Sequence, residues 1–488
     1  MLLIGREEEL AILEQLYKSD KPEFLALYGR RRVGKTFLIR EFFRAKKDVL
    51  FFNATGQKDG TLREQTILFT QQISKGFYGK LKLQQGKNWN ETFEILTTAI
   101  EQTPQNKKII LFFDELPWMA TRNSKLLQSL DYYWNQYWSN DKRIKLIICG
   151  SAASWIIHNI VRNKAGLHNR LTEKICLKPF KLPDTKKFLE HLGIKLKNAQ
   201  ILFIYMVTGG IPYYLSKIKK GLSAAQNIEK LAFSSNAFFL EEFDNLFAAL
   251  FDNHEAYIKI IKIIATRRYG IGKTELLKLC GESLVGEEGM KRLNDLEDAG
   301  FIASFKAHFH KRQGIYYRLA DEFTSFYIKW IEPIRHTLQE NALEAGYWQA
   351  MQNSPEWHSW LGYSFESICY KHIAAIRKKL LLDPMAIANS WRYVPKKGSK
   401  EEGAQIDLLF DRRDDSITLC EIKYTDEPFV LTKDYVKILE RKRDVFKMQT
   451  QTKKQIFIAM IAAHGLQNNY YAEHLITGTV ILDDLFEE

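Results

Sequence analysis

Residues 29–36 read Gly29-Arg30-Arg31-Arg32-Val33-Gly34-Lys35-Thr36, a complete GxxxxGK[ST] pattern. The run before it, Phe24-Leu25-Ala26-Leu27-Tyr28, is apolar and of strand length. The run after it, Phe37-Leu38-Ile39-Arg40-Glu41-Phe42-Phe43, is apolar at helical spacing. Strand, glycine loop and helix in that order leave few folds open. The two glycines let the backbone curl until its N–H groups point inward at a polyphosphate, and the helix N-terminus adds partial positive charge. All eight loop residues are therefore candidate nucleotide contacts, with Lys35 reaching the β/γ phosphates and Thr36 ligating Mg²⁺. ATP and Mg²⁺ are the expected cofactors. A second GKT, Gly272-Lys273-Thr274, has Arg267 where the first glycine belongs and no strand-like run directly before it, so it reads as a turn leading into a helix.

A polyphosphate site needs a partner that holds the metal and activates water. Lys108-Ile109-Ile110-Leu111-Phe112-Phe113-Asp114-Glu115 is a buried strand ending in two acids. Asp114 is expected to hold Mg²⁺ through water and Glu115 to polarise the attacking water. Strands often end in acids, and it is the phosphate loop upstream that gives this pair its meaning. Lys145-Leu146-Ile147-Ile148-Cys149-Gly150-Ser151 is another buried strand. Ser151 either reports on the γ-phosphate or is a plain strand-end turn.

The chain has 488 residues, too many for one hydrophobic core, so three or four domains are expected. Its apolar fraction of 45% and charged fraction of 26% are those of a soluble globular protein. Cys149, Cys176, Cys280, Cys369 and Cys420 are scattered without a CxxC pair, which argues against a zinc ribbon or a disulfide framework and suits a reducing cytosol. No apolar run approaches the ~20 residues of a membrane span, and the apolar part of the N-terminus is too short for a signal peptide. A cytoplasmic location with no membrane partner is the expectation. The net charge of +13 favours an anionic partner, with DNA the first candidate, or else serves solubility alone.

With these residues in hand the chain resembles the archaeal-type ATPase family of the AAA+/STAND group. Ile4-Gly5-Arg6-Glu7-Glu8-Glu9-Leu10 is similar to the family's hxGRExEL opening, and the phosphate loop, Asp114-Glu115 and Gly150-Ser151 follow in the family's order. Gly209-Gly210-Ile211-Pro212-Tyr213-Tyr214-Leu215 looks like its GGxPxYL segment. The resemblance spans about the first 240 residues. It implies a helical lid over 179–252, with Pro212 at a rigid corner near the adenine. It also implies an arginine acting on the γ-phosphate. Arg170 best matches that position and Arg162 is the rival.

Residues 253–325 read as a winged helix: helices over Tyr257–Ala265, Lys273–Leu279 and Glu287–Ala299, then strands Phe301–Phe305 and Ile315–Leu319. Winged helices often bind DNA. Here the third helix is net acidic, with Glu287, Glu288, Asp295, Glu297 and Asp298 against Lys291 and Arg292, and phosphates would repel it. A packing or relay role is favoured, while the basic wing tip (Lys306, His308, His310, Lys311, Arg312) leaves backbone contact open.

In residues 326–488, Leu361–Ile368 begins an amphipathic helix that carries Glu366, Asp407 lies in a strand, and Glu421-Ile422-Lys423 ends the next. Period two puts Glu421 and Lys423 on one face. This order resembles the PD-(D/E)xK nuclease core and the DUF234-type region that often follows such ATPases, with Gln405-Ile406-Asp407 in place of Pro-Asp. The resemblance implies Asp407 and Glu421 as ligands of a hard divalent cation, Lys423 as the group orienting water, and Glu366 as a further catalytic acid. Lys433, Lys437 and Arg441 form a basic stripe on the helix that follows. The expected fold is α/β multidomain: a P-loop AAA+ ATPase core (1–178), a helical lid, a winged helix, and a C-terminal restriction-endonuclease-like α/β domain. The expected function is an ATP-hydrolysing switch coupled to a nuclease-like, DNA-interacting domain. The alternative is an ATP-gated DNA-binding or scaffold protein with an inactive nuclease-like fold. Assembly into a homo-oligomer is left open.

Overall fold

The computed structural model describes residues 3–487 except 80, 163–165, 235, 268, 307–313, 341–345, 397 and 400. β1 (Glu23–Tyr28), β2 (Val49–Thr55), β3 (Lys108–Asp114), β4 (Ile144–Gly150) and β5 (Glu173–Cys176) form a parallel sheet in the order β2-β3-β4-β1-β5. β1, β3 and β4 are near-continuous apolar runs because both faces of the sheet are covered. One face buries Phe24, Phe52, Phe93, Phe113 and Trp138. The other buries Leu25, Leu27, Ile110, Phe112 and Ile147. β4 pairs with both β1 and β3. The loop after β1, the acids ending β3 and Ser151 after β4 therefore emerge side by side at the carboxyl edge, where ligands of open α/β sheets bind.

Five helices follow, Leu182–His191, Asn198–Thr208, Pro212–Leu215, Ala224–Ala232 and Phe239–Leu250. Asn198–Thr208 is apolar all round, and such a helix has to be enclosed. Ile201, Leu202, Ile204, Tyr205, Met206 and Val207 are all buried, while Phe203 meets Trp357 and Tyr424 from the C-terminal part, with ring centroids 6.0 and 6.1 Å apart. One continuous core thus runs from Leu13 beneath the first sheet to Leu485 near the C-terminus.

Helices His254–Ala265, Lys273–Cys280 and Gly286–Asp298 precede the antiparallel hairpin β7 (Ile302–Lys306) and β8 (Ile315–Leu319), to which the short β6 (Ile271–Gly272) is added. The second GKT lies where β6 passes into the helix Lys273–Cys280. The acidic third helix turns its C-terminal end to the ATPase part, where Asp298 faces His158 at 3.6 Å and Arg162 at 3.9 Å. Of the basic wing tip, Lys306 ends β7, and His308, His310, Lys311 and Arg312 lie outside the described residues.

The second five-stranded sheet is mixed. β9 (Ile387–Tyr393), β10 (Ala404–Asp411) and β11 (Ser416–Lys423) run antiparallel in turn, and β12 (Gln455–Ala462) and β13 (Ile476–Val480) continue parallel to β11. The crossover from β11 to β12 is the helix Lys433–Thr450. Among the described residues no helix is long and apolar enough to cross a membrane.

The helix Leu182–His191 and the C-terminal part are stitched by His372. Its Nε2 accepts from the Leu182 backbone N–H at 3.1 Å, so its proton lies on Nδ1, which donates to the Ile368 carbonyl at 2.8 Å. Burial lowers the imidazole pKa from 6.5 to about 4. The unfolded chain takes up this proton near pH 6.5 and the folded chain only near pH 4, so stability is complete above 6.5 and falls as pH drops towards 4. The loss expected is up to about 3 kcal/mol. Urea midpoints at pH 7 and pH 4.5 should show it in the wild type and show much less of it in His372→Asn.

Candidate nucleotide site and second carboxylate site

The phosphate loop is shaped by what surrounds it. At Gly29 (φ +140°) a Cβ would lie 2.3 Å from the Leu177 carbonyl oxygen, so only glycine fits. Lys35 is buried, which lowers its pKa, and its Nζ donates to the carbonyls of Gly29 and Arg30, both at 2.9 Å. Thr36 Oγ1 donates to Asp114 Oδ2 at 2.8 Å. Glu115 follows in the left-handed region (φ 49°), and its N–H donates to Asp114 Oδ1 at 3.1 Å. Its Oε2 accepts from both the N–H and the Oγ of Ser151, each at 2.9 Å. Thr36, Asp114, Glu115 and Ser151 thus form one hydrogen-bonded chain beside Lys35.

The loop's own arginines point away to distant parts of the chain. Arg30 is buried against Asp321 in a two-pronged ion pair, with Nη2 at 2.9 Å from Oδ2 and Nη1 on Oδ1. Arg32 pairs with Glu242 of the helix Phe239–Leu250 at 2.6 Å and stacks over Tyr213 at 4.3 Å. Tyr214 Oη donates to the same Glu242 at 2.7 Å. Tyr213 and Tyr214 follow Pro212, the first residue of the short helix Pro212–Leu215, and through Tyr213 this segment touches Arg32 of the phosphate loop. Arg31 acts electrostatically on Lys35 and Glu242. Removing one partner of a buried ion pair costs about 3–5 kcal/mol, because the other charge is left buried, whereas replacing both is often near neutral. Arg6 closes the loop from below, donating to the Lys178 carbonyl at 2.9 Å and the Val33 carbonyl at 3.2 Å.

The structure does not join Arg170 to this cluster: it faces Asp131 at 3.7 Å and is 43% exposed. Arg162 shares Asp298 with His158 and acts electrostatically on Tyr28, at the root of the loop.

Asp407, Glu421 and Lys423 meet. Leu408 pairs with Cys420, which sets Asp407 and Glu421 at neighbouring positions of β10 and β11. Burial, then the Glu421 charge, pushes the Asp407 carboxyl up. Its oxygens accept from the Ile422 N–H and from Gln405 Nε2, both at 3.1 Å. Burial also pushes Glu421 up, but Lys442, Lys423 and Tyr435 outweigh it and leave this carboxyl below its ordinary value. Lys442 Nζ lies 2.5 Å from Oε2, with Lys423 Nζ at 3.1 Å and Tyr435 Oη at 2.6 Å from Oε1. Glu366 lines a cavity of about 670 Å³ between the hairpin and the helix Pro355–Lys371, with Arg318, Tyr363 and Tyr370, and both Glu366 and Asp407 act electrostatically on Cys369 and Tyr370. Among the described residues no three His, Cys, Asp or Glu side chains gather as a metal-holding group.

A parallel sheet with this strand order, its phosphate loop at the carboxyl edge and acids on the strand two places away, is that of a P-loop ATPase. Residues 3–218 match the model of an ATPase domain family found predominantly in Archaea. An uncharacterized protein of Methanocaldococcus jannaschii is 25% identical over 429 residues, 87% of this chain and 88% of that one. An uncharacterized ATP-binding protein of the same organism is 47% identical over 47 residues, 10% of this chain and 80% of that one. Among solved structures, a Walker-type ATPase of Pyrococcus abyssi aligns with a TM-score of 0.44 at 20% identity, over 67% of this chain and 96% of that one. The ORC2 protein of Aeropyrum pernix, in ADPNP–ADP complexes, aligns with a TM-score of 0.43 at 15% identity, over 70% and 95%.

Sequence reasoning missed Asp321 and Glu242, the anchors of the loop arginines, and Tyr435 and Lys442 at the second site. Lys442 had a readable signal: it lies one residue beyond the basic stripe, on the face of its helix that turns to β11. Asp321 had none, since 291 residues separate it from Arg30.

Proposed function

We propose that this ATPase is a switch whose C-terminal unit is a nuclease-like, DNA-interacting domain. The observation that carries the reading is the meeting of Asp407, Glu421 and Lys423 on paired strands, behind the helix that bears Glu366. In the nucleotide site, Lys35 neutralises β/γ phosphate charge, Glu115 takes the proton of the attacking water, and Ser151 orients Glu115. The oxygen donors Thr36 and Asp114, already 2.8 Å apart, suit Mg²⁺. When bound, that ion neutralises charge on the β and γ phosphates. The three-helix unit before residue 325 reads as a winged helix working as a relay, because its acidic third helix is engaged with His158 and Arg162.

In the C-terminal site Asp407 and Glu421 would hold a divalent cation and Lys423 would orient water. Two carboxylates pressed together under burial favour a cation between them. A second reading, a DNA-holding scaffold that does not cut, is favoured by the saturation of Glu421 by two lysines and a tyrosine. The test is supercoiled DNA with Mg²⁺ or Mn²⁺, with and without ATP. Cleavage by the wild type that falls to background in Asp407→Ala and Glu421→Ala, with ATP hydrolysis unchanged, supports the nuclease. Cleavage that survives both changes removes these residues from the site. DNA binding without cleavage under every condition supports the scaffold.

A further inference from the structure

Asp321 and Glu322 are neighbours in sequence, both buried, and their carboxylates run to different parts of the molecule. Asp321 caps the helix Glu322–Phe326: its Oδ2 accepts from the N–H of Thr324 at 2.9 Å and from its hydroxyl at 2.6 Å. The same carboxylate grips Arg30 of the phosphate loop. Glu322 holds Lys371 Nζ with both oxygens, at 2.6 and 2.7 Å. Lys371 is the last residue of the helix Pro355–Lys371, and the residue before it, Tyr370, donates its hydroxyl to the Asp407 carbonyl. Arg318 lies over the ring of Tyr370 at 3.8 Å. The lid corner comes to the same point, since a Cβ on Gly209 (φ +62°) would lie 2.9 Å from Glu322 Oε2.

We infer that Asp321 and Glu322 are the junction through which the state of the phosphate loop reaches the C-terminal unit. Asp321 is a positioning residue for the nucleotide site, acting through Arg30. Glu322 is a positioning residue for the helix Pro355–Lys371, acting through Lys371. The starting event is local. Lys35 donates to the carbonyls of Gly29 and Arg30, and a polyphosphate that takes its ammonium releases those carbonyls. The Gly29–Arg30 peptide then turns, while the Arg30 side chain stays tethered to a helix cap. Buried ion pairs carry such a displacement well, because an intermediate position leaves a charge without a partner. Two ion pairs, two peptide steps and the Tyr370 hydrogen bond complete the path from the loop to Asp407. The inference rests on the switch reading above, but needs no nuclease activity.

The experiment uses the full chain and reads hydrogen exchange over residues 355–379, with and without a non-hydrolysable ATP analogue and Mg²⁺. Calorimetry on the same samples confirms nucleotide binding. The wild type should show a several-fold nucleotide-dependent change in that segment. Glu322→Gln/Lys371→Gln, which leaves no buried charge behind, should lose the change while its KM and kcat for ATP stay near wild type. Lys371→Arg should retain it. From the other end, Asp321→Asn keeps the oxygen that caps the helix and accepts from Arg30 Nη2, and loses the negative charge and the Oδ1 prong on Arg30 Nη1. It should raise the KM for ATP about 5-fold, the worth of one net hydrogen bond, with kcat little changed. A wild type that binds the analogue with no change over 355–379 overturns the junction and leaves the ATPase standing. A double variant that keeps the full change, or an Asp321→Asn variant with wild-type KM, also overturns it. Absence of nucleotide binding in the wild type overturns both.

Discussion

Lys35→Ala is expected to weaken ATP binding by roughly two orders of magnitude or more in a chain that stays folded. The ammonium is the loop's charged partner for the β/γ phosphates, and each charge-assisted hydrogen bond lost is worth about 1.5–3 kcal/mol. In the structure Nζ donates to the carbonyls of Gly29 and Arg30. The surrounding core, built from Leu27, Val33, Leu38 and Ile39, does not depend on it. Calorimetry with ATP and Mg²⁺, alongside circular dichroism, decides the matter. Unchanged affinity in a folded variant would remove the phosphate-loop assignment.

Glu115→Gln should bind ATP as the wild type does and hydrolyse it about 10²–10⁴-fold more slowly, the range general-base groups contribute. An amide oxygen can still accept the Ser151 N–H and hydroxyl that Glu115 Oε2 accepts at 2.9 Å. The shape is kept and only the charge that draws the proton from water is lost. Single-turnover hydrolysis measured beside binding separates the two effects. Wild-type turnover would move the base elsewhere, and Asp114 would be the next residue to change.

The two sites were legible in the sequence to different depths. Gly29–Thr36 and Asp114-Glu115 were readable because each is a short segment whose neighbours supply the strand or helix it needs, while Ser151 stood open between a γ-phosphate contact and a strand-end turn. The parallel sheet then brings the strand ends together by a general rule of such folds. Asp407, Glu421 and Lys423 were readable through the period of two along paired strands. Glu366 was expected with them; its helix is placed by Trp357, Trp360, Leu361 and Phe365, which enter the shared core, and Glu366 lines the cavity beside Arg318 and shares Cys369 and Tyr370 with Asp407 as electrostatic neighbours. Arg170 was assigned by position alone, and its short 3₁₀ turn carries it to Asp131 instead.

What the amino-acid order determined by itself is everything written in local pattern: the phosphate loop, the acids at strand ends, the helix caps and the alternation that pairs Glu421 with Lys423. One long-range fact was also written there. The helix Asn198–Thr208 has no polar face, so it had to be enclosed by something, although the pattern did not say by what. Only the tertiary structure decided that the enclosing parts include the helix Pro355–Lys371, and that Arg30, Arg32 and Lys371 find Asp321, Glu242 and Glu322. The reason is physical. A charged side chain carries no mark of its partner along the chain, and a buried carboxylate is tolerated only where the fold delivers a cation to it.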